Sequence, residues 1–269
     1  MNIIHADSNN TLDINDRGLL YGDGVWETVA VRSGRPQLLD LHMDRLHQGV
    51  EALAISNVDL ERVRQQMMMA CEGQERAVLK VLLTRGCGQR GYDPATATTP
   101  TIILQLSPRN PQLDSHAQHG VVLGVCSLRL GHQPLLAGLK HLNRLEQVLA
   151  RRQFASDWQE GLLLDQHAHV VEGTMSNLFI LTEDGEVLTP ALSLCGVAGV
   201  MRRHVLMQLA QMGIRHAVLP LDLGDIERAR ALFLTNALIG VWPVRKFQER
   251  ILPIPILVRH LQQRVESVL

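Results

Sequence analysis

Ala137-Gly-Leu-Lys140-His-Leu-Asn-Arg144-Leu-Glu146 is the stretch on which the reading of this chain turns. Leu142, Leu145, Val148 and Leu149 fall on one helical stripe, which predicts a helix beginning just after Lys140. A lysine at that junction of loop and helix can point into a cleft while the helix fixes its base. Only three lysines occur, Lys80, Lys140 and Lys246, and arginine supplies nearly all the remaining positive charge. Lys246 sits in the charged run Arg245-Lys-Phe-Gln-Glu-Arg250, and Lys80 sits inside an apolar strand from which it can face solvent. From context alone, a surface lysine fits Lys140 as well as a reactive one. Amine catalysis needs a desolvated or charge-crowded lysine, and a sequence does not display that.

Working outward, Trp26 to Arg32 alternates and is β-branched, which predicts a strand, with Ser33-Gly34 as a turn and residues 36–39 returning. Residues 41–54 change to helical period, and Asn57 and Asp59 open a second helix running to Met69. Strands are expected over 77–84 and 101–106, separated by the glycine-rich loop Arg85-Gly-Cys-Gly-Gln-Arg-Gly-Tyr92. That loop lacks both GxGxxG and GxxxxGK[ST] spacing, so neither nucleotide fold is supported. Residues 107–119 are polar with two prolines and read as a linker. This divides the chain into a smaller lobe, 1–112, and a larger lobe, 113–269, that includes Lys140. In the second lobe, strands are expected over 120–125, 161–164, 170–171, 178–181, 231–234 and 240–244. Helices are expected over 200–212 and 254–265, and Glu183-Asp184-Gly185 reads as a tight turn. Clustered strands with helices between the clusters describe an α+β fold.

The chain has 269 residues, enough for two packed lobes, and 46% of them are hydrophobic. A net charge of -1 gives no general attraction to nucleic acid or anionic membrane. Met1 to Asn10 lacks a basic stretch followed by an apolar one, and no run approaches a membrane span, so a cytoplasmic protein is expected. Cys71, Cys87, Cys126 and Cys195 form no CxxC pair, so reduced thiols and no metal are expected.

Other residues carry weaker signals. Glu172, in Val170-Val-Glu-Gly-Thr-Met-Ser-Asn177-Leu-Phe, has apolar neighbours, although a solvated turn glutamate fits its context better. Cys195 to Met201 leads small residues into a helix N-terminus, an arrangement that suits a phosphate. Arg45 can supply the charge-assisted contact to it, and equally can be an ordinary surface arginine. Thr235-Asn236 ends an apolar strand and reads as a site edge or as a turn.

Arg45, Lys140, Glu172, the Gly196 turn and Thr235-Asn236, taken in order with their neighbours, resemble the fold-type IV pyridoxal-phosphate enzymes. That group includes branched-chain and D-amino acid aminotransferases and aminodeoxychorismate lyases. The opening Asp16-Arg-Gly-Leu-Leu-Tyr-Gly-Asp-Gly-Val-Trp-Glu27 and the stretch Glu172 to Phe179 are similar to that family's own. Two features lean toward the lyases: Lys140-His-Leu-Asn-Arg-Leu-Glu-Gln147, with no tyrosine after the lysine, and the Arg85 to Tyr92 loop.

The resemblance implies a two-lobed homodimer with pyridoxal 5'-phosphate between the lobes. Lys140 would hold it as a Schiff base, Glu172 would meet its pyridine nitrogen, and Asn177 and Leu194 would line it. Arg45, the amides of Val197 and Ala198, and Thr235-Asn236 would hold its phosphate. Where many relatives carry Ile-Thr, this chain has Val197-Ala198, so Ala198 offers no hydroxyl. Arg90 and Tyr92 would meet a small-molecule substrate with two carboxylates, Arg144 being a further candidate cation, and Thr28 would relay a proton.

Overall fold

The computed structural model describes residues 1–5 and 11–269. Residues 6–10, part of the N-terminal stretch inspected above for a leader, lie outside the described residues. The chain divides into two compact units. The first is Met1–Arg109 with Leu139–Asn143 and Val268; the second is Asn110–Gly138 with Arg144–Ser267 and Leu269.

The first unit runs β1 (Asn2–His5), α1 (Arg17–Tyr21), β2 (Gly24–Arg32), β3 (Arg35–Pro36), α2 (Leu39–Ala52), α3 (Leu60–Cys71), β4 (Arg76–Thr84) and β5 (Thr101–Pro108). Its five-stranded sheet has the order β1-β5-β4-β2-β3. Alternation decides which side chains face which way. Val25, Val29 and Val31 of β2, with Leu79, Val81 and Leu83 of β4, turn one face onto Met43, Leu46 and Val50 of α2 and Val63 and Met67 of α3. Trp26 and Thr28 belong to the opposite face, with Leu82 and Lys80 as their cross-strand partners. Gly49 lets α2 lie close, because a Cβ there would stand 2.7 Å from Val25 Cγ1. Asp59 caps α3 by accepting from the Arg62 amide at 2.9 Å, as its position before an amphipathic run predicts.

The second unit runs α4 (Gln112–His119), β6 (Val121–Leu130), α5 (Leu145–Arg151), β7 (Glu160–Asp165), β8 (Val170–Gly173), β9 (Asn177–Leu181), β10 (Val187–Pro190), α6 (Val200–Gln211), β11 (His216–Leu219), α7 (Leu223–Arg228), β12 (Ala231–Asn236), β13 (Gly240–Phe247), β14 (Arg250–Ile251) and α8 (Ile256–Glu266). Its sheet follows the order β11-β10-β9-β12-β13-β6-β7-β8, with β14 paired to β13. One face carries Leu178, Ile180, Leu232, Leu234, Trp242 and Val244 into the main core. On the other, the Phe179 and Phe233 rings stack with centroids 4.9 Å apart.

Two local expectations are corrected. The stretch read as a linker contains α4, which begins after Pro111 and packs Leu113 and Ala117 on the core. Its one-turn apolar pair is too short a stripe to register as periodicity, and the Trp242 indole N–H donating to the Leu113 carbonyl at 3.1 Å helps hold it. The helix after Lys140 starts only at Leu145. Residues 140–142 are instead paired with β2: the Trp26 amide donates to the Lys140 carbonyl and the Leu142 amide to Gly24, both at 3.0 Å. That pairing is why Leu139–Asn143 groups with the first unit. Strands β10 and β11 and helix α7 carry too few residues to stand out in the sequence.

Candidate active site

In the first unit, the extended segment beside β2 places Lys140 Nζ 3.8 Å from the centroid of the Trp26 ring. The Trp26 indole N–H donates to the His141 carbonyl at 3.1 Å, which fixes the ring under the amine. Lys80 Nζ approaches the same indole at 5.0 Å. Thr28 follows Trp26 by two residues on the same strand and is half-buried, so its side chain shares this face.

A buried charged cluster lies on the same strand. Arg45, on α2, grips Glu27 with two donors, Nε to Oε1 at 2.7 Å and Nη2 to Oε2 at 2.5 Å. His42 Nδ1 lies 2.6 Å from Oε2 of that carboxylate. Burial pushes the Glu27 carboxyl up, but Arg45 and His42 outweigh it and hold it at about 2. Burial pushes His42 down; Glu27 opposes this, while the charges of Arg45 and Lys140 add to it. Arg45 thus serves Glu27, a partner that alternation assigned to the core. A guanidinium fork carries more donors than one carboxylate accepts, so this pairing is compatible with a further anion.

In the second unit, Glu172 on β8 is buried, and the Val197 amide donates to its Oε2 at 2.9 Å. Asn177 Nδ2 reaches the same oxygen at 3.3 Å and the Val197 carbonyl at 2.8 Å. The sheet register sets Asn177 beside Thr235, whose hydroxyl is buried with no hydrogen-bond partner. Gly199 stands at the N-cap of α6 and offers no side-chain cap, and a Cβ there would fall 2.0 Å from Asn177 Oδ1. The uncapped helix end, the orphan hydroxyl and the Glu172–Asn177 pair are therefore gathered in one place. Arg202 on α6 adds charge that the sequence reading missed. Burial lowers its pKa and the Glu172 carboxylate opposes that, while its guanidinium donates to Thr189 Oγ1 at 3.2 Å and to the Pro190 carbonyl at 2.9 Å. Its position, one turn inside a helix that follows glycines, was the available signal.

Three groups expected at the phosphate have hydrogen-bond partners within the protein. The Val197 amide is used by Glu172, and the Ala198 amide donates to the Gly138 carbonyl at 3.0 Å. Asn236 builds a turn: Oδ1 accepts from the Leu238 and Ile239 amides at 2.8 and 2.9 Å, and Nδ2 donates to the Met175 carbonyl at 2.9 Å. Leu194 is half-buried, its carbonyl accepting from the Gln133 amide at 2.8 Å.

The glycine-rich loop is pinned from below. Arg17 donates to the carbonyls of Gly91, Tyr92 and Asp93 at 2.9, 3.0 and 3.3 Å, and its Nε is 2.9 Å from Asp23 Oδ2. Arg85 takes both oxygens of Asp23, at 2.8 and 3.0 Å. Arg90 is exposed, and Tyr92 is exposed with its ring edge-on to Tyr21 at 5.3 Å. Arg144 forms the N-cap of α5.

Comparison with known proteins agrees with this pattern. The chain is 38% identical over 232 residues to the aminodeoxychorismate lyase of Vibrio harveyi, covering 86% of this chain and 85% of that one. A putative branched-chain-amino-acid aminotransferase of Methanocaldococcus jannaschii is 32% identical over 244 residues, covering 88% and 83%. The crystal structure of 4-amino-4-deoxychorismate lyase from Pseudomonas aeruginosa superposes with a TM-score of 0.93 at 44% identity, covering 97% of each chain. The profile of the amino-transferase class IV family matches residues 24–247, and the chain belongs to that family.

Proposed function

We propose that this protein is a lyase that converts 4-amino-4-deoxychorismate to 4-aminobenzoate and pyruvate with pyridoxal 5'-phosphate, a step of folate biosynthesis. The observation that carries the reading is the relationship to lyases along nearly the whole chain. The residues fit the cofactor. The orphan Thr235 hydroxyl and the uncapped start of α6 suit its phosphate, and the buried Glu172 carboxylate suits its pyridinium nitrogen. Arg45 adds positive charge in the first unit.

The bound cofactor supplies an electron sink for charge developing at the substrate's C4. Lys140 is the residue that would hold the cofactor, and its amine is the base that would take the C4 proton. The bond from C3 to the enolpyruvyl oxygen breaks as the ring becomes aromatic. The Thr28 hydroxyl, on the Trp26 face, passes a proton to the departing enolpyruvate, which becomes pyruvate. Trp26 orients the lysine amine from below, and Asn177 and the Val197 amide keep the Glu172 carboxylate aimed. Arg90 and Tyr92 on the exposed loop meet the substrate's carboxylates.

The reading also takes the protein as a cytoplasmic homodimer. The exposed side chains of Leu145, Val148 and Leu149 along α5 support an association surface. Among the described residues, no helix is long and apolar enough to cross a membrane.

The test is a visible spectrum of the purified protein before and after adding enzymatically generated aminodeoxychorismate, with both products followed. A cofactor band that disappears in Lys140→Ala, together with equal amounts of 4-aminobenzoate and pyruvate, is expected. A bound cofactor with amino-acid transamination and no 4-aminobenzoate moves the reading to an aminotransferase of the same family. A protein that takes up no pyridoxal phosphate overturns both.

A further inference from the structure

The β7–β8 connection, Asp165-Gln-His167-Ala-His169, carries a cluster that the lyase chemistry does not use. Asp165 ends β7 and is buried. Its Oδ1 accepts the amides of His167 and His169 at 2.8 and 2.9 Å. That leaves Oδ2 toward imidazoles: His132 Nε2 lies 3.0 Å away and His169 Nδ1 3.4 Å. The His132 and His167 rings meet edge to face with centroids 4.6 Å apart. One ligand atom each from His132, Asp165 and His167 lies within 4.8 Å of the others. His132 is held on both sides, since the Gly131 amide donates to Glu146 Oε1 and the Gln133 amide to the Leu194 carbonyl, both at 2.8 Å.

We infer that His132, Asp165 and His167, with His169 as a fourth donor, form a binding site for a divalent transition-metal ion such as Zn2+. Imidazole nitrogens with one carboxylate oxygen are the donor set that Zn2+, Ni2+ and Co2+ prefer over Mg2+ or Ca2+. In a tetrahedral zinc site with bonds of about 2.0–2.1 Å, neighbouring ligand atoms stand about 3.3 Å apart. The His132–Asp165 pair already has nearly that spacing. The exposed His167 side chain closes the remainder by rotation, without moving the sheet. The two amides on Oδ1 are the outer contacts that aim a metal-ligating carboxylate. The backbone bond from Gln133 to Leu194 ties the site to the turn that leads into Val197 and Gly199.

The experiment is a titration of chelator-treated, pyridoxal-phosphate-loaded protein with ZnCl2 by calorimetry, repeated with CoCl2 while recording visible absorbance. One ion per chain is expected, with an intense cobalt spectrum of tetrahedral type. The affinity should fall about 100-fold or more in His132→Ala/His167→Ala, given that outer-shell changes alone cost 10–100-fold. Asp165→Asn, which keeps the turn's hydrogen-bonding oxygen, should lose affinity while the melting temperature without metal is little changed. His47→Ala, at an exposed histidine on α2, controls for adventitious imidazole binding and should change nothing. Wild-type protein that binds no ion, or a double variant that binds as wild type does, overturns the site. Because the cofactor is bound throughout, failure here is separate from failure of the lyase reading.

Discussion

Replacing Glu27 by glutamine tests the buried cluster that the first unit builds beneath Trp26. The carboxylate is buried and held by Arg45 and His42, and its pKa falls from an ordinary 4.5 to about 2. That fall corresponds to about 3 kcal/mol of stability. Breaking a buried pair by removing one partner costs about 3–5 kcal/mol, so the two routes agree on the scale. The sign follows from the direction. A carboxyl depressed in the folded state contributes fully above its unfolded value of 4.5, and the contribution fades as pH falls toward about 2. His42, whose pKa burial lowers, adds a second loss on acidification, since the unfolded histidine takes up its proton at a higher pH than the folded one. Urea unfolding of wild type and Glu27→Gln across pH measures the effect. Near neutral pH the variant should be less stable by about 3 kcal/mol, and the gap should shrink to below about 1 kcal/mol near pH 2. Equal stability at neutral pH, or a gap that does not change with pH, would refute the claim that an ionised Glu27 is what the cluster is built around.

Two further substitution and labelling experiments follow from the second unit and from the thiols. Gly199→Ala drives a methyl against Asn177 Oδ1, and Asn177 must then leave Glu172 and the Val197 carbonyl. Pyridoxal-phosphate affinity, read by spectral titration, should drop by roughly tenfold for the loss of about one net hydrogen bond, with the fold retained; an unchanged titration contradicts the arrangement. Cys71 and Cys126 are pushed up to about 11 by burial, and Cys195 to about 12 by burial and by Asp165, Glu172 and Glu146. Cys87 is the exposed thiol, so iodoacetamide near neutral pH should label it first, as peptide mass spectrometry will report; fast labelling of Cys195 contradicts the assignment.

Strands β2 and β4 could be read from sequence because one face is buried and the other is not, which writes the sheet's period of two directly into residue type. Helix α4 could not be, since Leu113 and Ala117 are the only apolar side chains its polar turns bring to the core. The placement of Lys140 was half legible. Its neighbours identified the family, but the leucines that suggested a helix at once begin it only at Leu145, because main-chain bonds to Trp26 and Gly24 hold the preceding residues extended. Those bonds lie between residues more than a hundred positions apart, and no local pattern reports them.

The opening motif shows the same limit from the other direction. Asp16 to Glu27 was read as a signature string, yet most of its polar members have structural partners. Asp16 accepts from the Gly18 amide at 2.8 Å and from the Thr84 hydroxyl at 2.9 Å, and Asp23 joins Arg17 to Arg85. Arg17 in turn holds the carbonyls of residues 91–93. The motif therefore sets the base of the loop that bears Arg90 and Tyr92, and reaches the chemistry through Trp26, beside Lys140, and Glu27, which holds Arg45. The histidine cluster was overlooked for a related reason: His132 and Asp165 are 33 residues apart, one just after β6 and the other at the end of β7, and the pairing of those strands brings them together. A motif scan finds ligands that share an element, as in a helical pair of histidines. It misses donors that a sheet assembles, and the His167-x-His169 spacing at the end of an apolar strand was the part of this site that the sequence did display.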